Sequence, residues 1–324
     1  MFPLKYRHEQ PFTPIKGSCP RKGCKFTDQG RLCFPRSLVE DVIARAGRDF
    51  VMYGRDPKHD IEMTDKKVHL YGGGEAVTIL DLGAETYRPS TINDVYDIAR
   101  VVDYLENIHS YSRLVVATEF TDLLKTDINT AYASVVGTTK HTALTFGNGK
   151  HEKPTIEMLE VIAGGEGNFF KATFLPWWGV VQLSHHSAMV RDNCEVAVAS
   201  IEFNAPVWVV IAPQSGATAP AALAGSLAQR FWQKTLASLL LIDLIKPGHP
   251  VVFGPWPFVT DLRTGSFSGG SGKRSAYERS LGTNSQNHYG LASSVGAGMT
   301  DSKLPDAQAG YEKGITISMA ALAG

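Results

Sequence analysis

Two aromatic residues carry the first chemical signal. Trp256 and Phe258 alternate with prolines in Gly254-Pro-Trp-Pro-Phe-Val-Thr-Asp261, directly after the apolar run 251–253. Aromatic faces attract a cation that offers no N–H, each contact being worth about 0.5–2 kcal/mol. The same two rings could equally fill the space between a loop and a helix. Arg263, two residues past Asp261, can clamp a carboxylate with its planar fork or spend itself on Asp261. His141 follows Lys140 and can donate a hydrogen bond, handle a proton or serve structurally. A polar loop brings Asp301, Lys303, Asp306 and Gln308 together. Asp306 could also be a helix cap, because an Ala-rich helix follows it. Tyr311 lies four positions before Ile315, a spacing that suits core packing as well as a binding role.

These residues need a scaffold. From about residue 113 the chain alternates short apolar runs with helical patterns. The runs cover 114–117, 142–146, 173–181, 207–212, 251–253 and, weakly, 290–295. Most are rich in β-branched or aromatic residues and end in Gly, Pro, Thr or Ser, which predicts strands followed by loops. Between them, 154–163 has helical periodicity, and 220–245 is Ala- and Leu-rich and stops at Lys246-Pro247-Gly248. This is the pattern of βα units around a parallel sheet. Gly72-Gly73-Gly74 leads into another strand-like run, so it predicts a hairpin turn rather than a nucleotide loop. The fold predicted is α/β, a (β/α)8 TIM barrel with about six of its eight strands. Residues 1–112 form an N-terminal α+β cap and 113–324 the barrel domain. Within the cap a helix over 90–105 opens at Ser90 or Thr91 ahead of Asp94. Trp256 and Phe258 then fall past a strand end, where barrel sites are built.

Composition narrows the classes. The 324 residues are 43% hydrophobic and 20% charged, with 32 basic and 32 acidic side chains. A folded chain with a sizeable core is expected, with no electrostatic pull toward nucleic acid or acidic membranes. No apolar stretch reaches the roughly 20 residues of a transmembrane span, and Met1–Gln10 lacks the apolar run of a secretion signal. A cytoplasmic location is the expectation. Cys19 and Cys24 hint at half a zinc site, but no second pair follows at zinc-finger spacing; reduced thiols are expected.

The segment 298–313, Gly-Met-Thr-Asp-Ser-Lys-Leu-Pro-Asp-Ala-Gln-Ala-Gly-Tyr-Glu-Lys, occurs with Asp261-Leu-Arg-Thr-Gly265, Gly216-Ala-Thr-Ala-Pro220, Thr138-Thr-Lys-His141 and Tyr87-Arg-Pro-Ser-Thr91. Together they resemble the trimethylamine methyltransferase family over nearly all of 27–324. The resemblance implies a barrel, no S-adenosylmethionine, and a cognate corrinoid (cobalamin) protein as methyl acceptor, with no metal bound directly by this chain. Lys303 falls where the founding members carry pyrrolysine, which implies the non-pyrrolysine branch. Its substrates are quaternary amines such as glycine betaine, with trimethylamine the alternative. On this resemblance Asp301 and Lys303 are the candidate catalytic residues. Trp256, Phe258, Arg263, His141, Gln308 and Tyr311 are the candidate substrate-binding residues. Methyl transfer from a quaternary nitrogen expels a neutral amine, so no general acid is strictly required; desolvation and alignment remain for the protein to supply. Association into homo-oligomers is common for large apolar barrels.

Four stretches depart from the family: 1–26, 169–191, 230–234 and 273–288. Segment 179–190, back-translated and read one base out of step, can give a family-like sequence. Compensated frameshifts together with a lost C-terminus would account for these stretches and for the tandem His185-His186. Arg230, Gln233 and Lys234 then interrupt a helix otherwise written for burial, at a cost of several kcal/mol for each unpaired buried charge. A non-catalytic or misfolded remnant of the family is the rival reading, and a betaine-binding protein without catalysis a third.

Overall fold

The computed structural model describes residues 2–6, 23–28, 31–64, 67–165, 179–182, 188–189, 191–219, 225–270 and 272–322. The helices are α1 (Arg36–Arg45), α2 (Ile92–Tyr104), α3 (Leu123–Gly137), α4 (Glu152–Ile162), α5 (Arg191–Glu202), α6 (Gly225–Ile245), α7 (Gly272–Tyr289) and α8 (Ala307–Ala321). The strands that matter for the site are β1 (Tyr71–Gly72), β2 (Ser110–Ser112), β3 (His141–Ala143), β4 (Gly179–Gln182), β5 (Val207–Ile211) and β6 (Val251–Pro255). Among the described residues they make two three-stranded sheets, ordered β3-β2-β1 and β4-β5-β6, and no closed barrel. Two compact units emerge, 49–180 with 195–206, and 1–48 with 181–194 and 207–324; neither boundary falls at 112/113.

In the first unit, β2 pairs in parallel with β1 and β3, Ser110 facing Tyr71 on one side and His141 on the other. The predicted helix at 90–105 is α2, entered through a capping box in which Thr91 and Asp94 bond each other's backbone. Arg88 grips the same Asp94 carboxylate with two bonds of 2.7 and 2.8 Å. Val95, Ala99 and Val102 place the apolar face of α2 against Tyr111, Val115 and Ala133. At Gly137 the helices α2 and α3 meet so closely that an added Cβ would stand 2.7 Å from the Ala99 Cβ and 2.9 Å from the Tyr96 carbonyl. Lys140, 2% exposed, donates to the carbonyls of Val102, Leu105 and Ile108 at 2.7, 2.5 and 2.7 Å, answering the carbonyls left open where α2 ends.

The glycines at 72–74 do not form a hairpin. Tyr71–Gly72 pairs in parallel with β2, whereas Thr78–Ile79 pairs antiparallel with Arg88–Pro89. A Cβ at Gly72 would lie 2.8 Å from a Leu114 methyl. Close approach of side chains is therefore what the glycine provides, a need that local turn chemistry does not reveal.

In the second unit β5 and β6 run parallel in register from Val207↔Val251 to Ile211↔Pro255, both buried throughout. The weakly predicted strand at 290–295 is reduced to a single parallel bridge between Phe253 and Ser293. Asp243 of α6, 3% exposed as a side chain, is held by Arg45 at the end of α1. The run 230–234 does not interrupt α6. Phe231 and every residue from Thr235 to Leu244 are buried, while Trp232, Gln233 and Lys234 are only half-buried. The expected burial penalty does not fall on Lys234, because its helical position leaves the side chain partly in water. Trp232 rests on Tyr289 with ring centroids 4.5 Å apart. The segment 273–288 forms the body of α7. Most of 1–26 and 169–191, with Cys19, His185 and His186, lies outside the described residues. No described helix is long and apolar enough to cross a membrane.

Candidate functional site

The second unit gathers most of the predicted site residues beyond the C-terminal ends of β5 and β6. The chain leaving β6 bonds the chain leaving β5: the Trp256 N–H donates to the Ile211 carbonyl at 3.0 Å and the Phe258 N–H to the Pro213 carbonyl at 2.8 Å. Trp256 packs edge-on against the buried Trp208 at 5.9 Å. Its indole Nε1–H is buried with no hydrogen-bond partner among the described residues. Phe258 opens the short strand Phe258–Thr260, which pairs antiparallel with Phe267–Ser268, and its ring meets Phe267 at 4.6 Å.

That hairpin joins the aromatic segment to the polar one. Asp301 accepts from Ser268 Oγ at 2.8 Å and from the Gly269 N–H at 2.6 Å, while Ser268 stands opposite Val259. Segments 256–263 and 298–312 are therefore bound to a common hairpin. The polar loop is organised by a residue that sequence reasoning missed, Glu312. Its carboxylate accepts from Thr300 Oγ1 at 2.6 Å, the Asp301 N–H at 2.8 Å and Gln308 Nε2 at 2.9 Å. The Thr300 hydroxyl and the Asp301 N–H hold it below the ordinary carboxylate range. Asp306 caps α8, accepting from the Ala309 N–H at 2.9 Å.

Other predicted residues stand as follows. Arg263 binds Asp261 through Nε at 3.0 Å and Nη2 at 2.7 Å, which pulls the Asp261 carboxyl down to about 2. Lys303 and Tyr311 are exposed on the loop and on α8. His141 belongs to the other unit and begins β3, at the N-terminal end of that parallel ladder. It is buried with Nδ1 2.8 Å from the Tyr53 carbonyl, and burial pushes it down to about 4, so it is neutral near pH 7.

Three further groups near these strand ends escaped sequence reasoning. Thr260 Oγ1, Tyr277 OH and Ser294 Oγ are buried without a partner among the described residues. Tyr277 packs with Ala219 and Val259, and Ser294 bonds through its N–H to the Phe253 carbonyl at 2.7 Å. Buried hydroxyls left without partners cost about 1–3 kcal/mol each, so such groups are natural ligand contacts. No apolar or polar periodicity marks them in the sequence.

The class is thus an α/β protein whose aromatic and polar groups converge beyond parallel strand ends. Residues 17–324 match the trimethylamine methyltransferase family (MTTB), and the chain belongs to that family. The match begins ten residues before the expected start at 27. A trimethylamine methyltransferase MttB of Desulfitobacterium hafniense is 30% identical over 295 residues, 90% of this chain and 58% of that protein. MttB of Methanosarcina thermophila is 28% identical over 93% of this chain and 63% of its own length. A glycine betaine methyltransferase of Desulfitobacterium hafniense is 26% identical over 91% of this chain and 60% of the relative. The chain therefore spans about three fifths of the length of these relatives. In fold it is similar to the crystal structure of Methanosarcina barkeri monomethylamine methyltransferase (MtmB), with TM-score 0.53 and 10% identity over 96% of this chain and 73% of that one.

Proposed function

We propose that this chain removes a methyl group from a quaternary amine, glycine betaine or a related betaine, and passes it to the cobalt of a cognate corrinoid protein. The observation that carries the reading is the indole of Trp256, set beyond a parallel strand end with its Nε1–H buried and without a partner among the described residues. A ring face suits a methylated cation, which no hydrogen bond can grip, and the indole N–H suits the carboxylate of a betaine. Thr260, Tyr277 and Ser294 supply further hydroxyl donors of the same kind. Phe258 extends the aromatic wall, and Arg263 can exchange Asp261 for a substrate carboxylate. Asp301 and Lys303 are the proposed catalytic pair in the polar loop, with Gln308 and Tyr311 the remaining proposed contacts. A TIM barrel with about six of its eight strands, a boundary between cap and barrel at 112/113, self-association and a cytoplasmic location belong to the same proposal.

The chemistry asks for alignment more than acid–base work. The N–CH3 bond breaks as the methyl joins the corrinoid, and the departing amine keeps its electron pair and leaves neutral. The protein's part is to strip water from the cation and fix the direction of attack. The test mixes folded protein with a reduced corrinoid protein and a panel of betaines, following methyl-cobalamin by its visible spectrum. Methylation with at least one betaine is expected. A folded protein that methylates nothing across the panel overturns the reading in favour of a non-catalytic remnant. Trimethylamine belongs in the panel because the first relatives named above are trimethylamine methyltransferases.

A further inference from the structure

A second constellation lies at the other parallel ladder, in the unit built on β1, β2 and β3. Its members come from four places in the sequence: Glu75, Arg113, Asp127 and His151. Arg113 follows the last residue of β2, and the Gly147–His151 loop follows β3. Both therefore stand at the C-terminal ends of neighbouring parallel strands, where α/β proteins place their ligands. His151 Nδ1 is 2.7 Å from Asp127 Oδ2, and the same oxygen accepts from the Gly147 N–H at 3.1 Å. Arg113 stands 3.9 Å from the other Asp127 oxygen and binds Glu75 at 2.8 Å.

The arrangement is rigid. Asp127 sits on α3 with a side chain 5% exposed, and His151 is 16% exposed. His151 ends a short turn in which Gly149 is pressed against α5, where a Cβ would lie 2.7 Å from the Glu195 carbonyl carbon. A carboxylate on Nδ1 fixes the neutral imidazole as the Nδ1–H tautomer, which leaves the lone pair on Nε2. No described residue bonds Nε2, since every polar contact of the ring is with Asp127. With a neutral imidazole, Glu75, Arg113 and Asp127 sum to one negative charge. Glu152, next along the chain, is buried beside Ser200, and burial pushes its carboxyl up and disfavours its charged form. The other charged groups on the packed elements are Lys125 of α3, Lys150 of the turn, Lys153, Glu157 and Glu160 of α4, and Arg191, Asp192, Glu195 and Glu202 of α5; together they add one further negative charge and do not reverse the sign.

An acceptor nitrogen backed by surplus negative charge suits a ligand with one positive charge and one N–H. We infer that the Asp127–His151 pair binds a protonated tertiary amine, its N–H donated to His151 Nε2. A quaternary ammonium has no such hydrogen and gains only the diffuse attraction. This rests on the amine-demethylating reading above and deepens it. The tertiary ammonium is either the product left by a quaternary substrate, after it takes a proton from water, or a tertiary amine presented as substrate.

The experiment uses the intact protein without any corrinoid, so its failure is separate from failure of methyl transfer. Titrate 15N-histidine-labelled protein with trimethylammonium, tetramethylammonium, N,N-dimethylglycine and glycine betaine at constant ionic strength, and read the His151 ring nitrogens. The free protein should show Nδ1 protonated and Nε2 bare. Trimethylammonium should move the Nε2 resonance and bind at least ten-fold more tightly than tetramethylammonium. N,N-dimethylglycine binding more tightly than trimethylammonium identifies the product as occupant; the reverse order identifies a tertiary-amine substrate. His151→Phe, checked for folding by circular dichroism, should erase the preference for N–H-bearing ligands. Asp127→Asn should shrink it by removing the anchor that fixes the tautomer. Equal binding of trimethylammonium and tetramethylammonium, an Nε2–H tautomer in the free protein, or an Nε2 resonance unmoved at saturation each overturns the inference. The wild-type titration decides the matter even if His151→Phe does not fold.

Discussion

Replacing Trp256 by alanine tests the proposed cation-binding site most directly. A desolvated cation over an indole face is worth up to about 2 kcal/mol, and an exposed one about 0.5 kcal/mol. At about 1.4 kcal/mol per factor of ten, loss of the ring should weaken betaine binding by about 2- to 30-fold. The upper part of that range is expected, because Trp256 is half-buried against Trp208 and water is already partly excluded. Trp256→Phe separates face from edge. It keeps a ring but loses the indole N–H, which has no partner among the described residues, so no protein group is orphaned. A cation without a carboxylate should then bind within about three-fold of wild type, while betaine should lose the hydrogen bond as well, about ten-fold. Isothermal titration with tetramethylammonium, glycine betaine and the uncharged 3,3-dimethylbutan-1-ol reads each contribution. Unchanged tetramethylammonium affinity in a folded Trp256→Ala, or equal affinity for the uncharged isostere, refutes the reasoning.

Asp94→Ala should lower unfolding free energy by about 2–4 kcal/mol in urea melts, the sum of a lost cap and lost charge-assisted bonds from Arg88. Arg88 depresses the Asp94 carboxyl, so this stabilisation is present above the normal aspartate range and should fade as pH falls below about 4. Glu152 titrates in the opposite sense: burial raises it, so stability falls as pH rises past the unfolded glutamate value. Glu152→Gln should therefore match wild type near pH 4.5 and exceed it in melting temperature at pH 8. Asp243→Ala removes the buried partner of the more exposed Arg45 and should cost about 1–3 kcal/mol by chemical denaturation. Gly137→Ala forces a methyl against Ala99 and the Tyr96 carbonyl and should cost about 1–3 kcal/mol in the same assay.

Local rules carried far along this chain. The apolar runs near 142, 207 and 251 are strands β3, β5 and β6 because β-branched residues between turn formers have few other places to go. Thr91 and Asp94 announced α2, and Asp306 announced α8, since capping is written within three residues. The triple glycine misled because its use is long-range, leaving room for Leu114. The fate of Lys234 depended on its place along α6, before the fully buried stretch 235–244, which no isolated run of five residues can show. Among the proposed site residues, the placing of Trp256 past a strand end and of Asp301 in a polar loop was legible from their segments. Glu312, Ser294 and the Asp127–His151 pair were not. His151 and Asp127 lie 24 residues apart and meet only when two strands align in parallel, so sequence spacing carried no trace of the pairing.

The ammonium of Lys140, enclosed by three peptide carbonyls at the end of α2, makes one lysine a reporter on the state of the chain. In the folded protein an amine-reactive reagent should pass over it while tagging exposed lysines. Tagged during unfolding, it could no longer fill its carbonyl nest, and the turn after α2 would have no counter-charge to close upon. The order in which lysines react would then record when that turn opens.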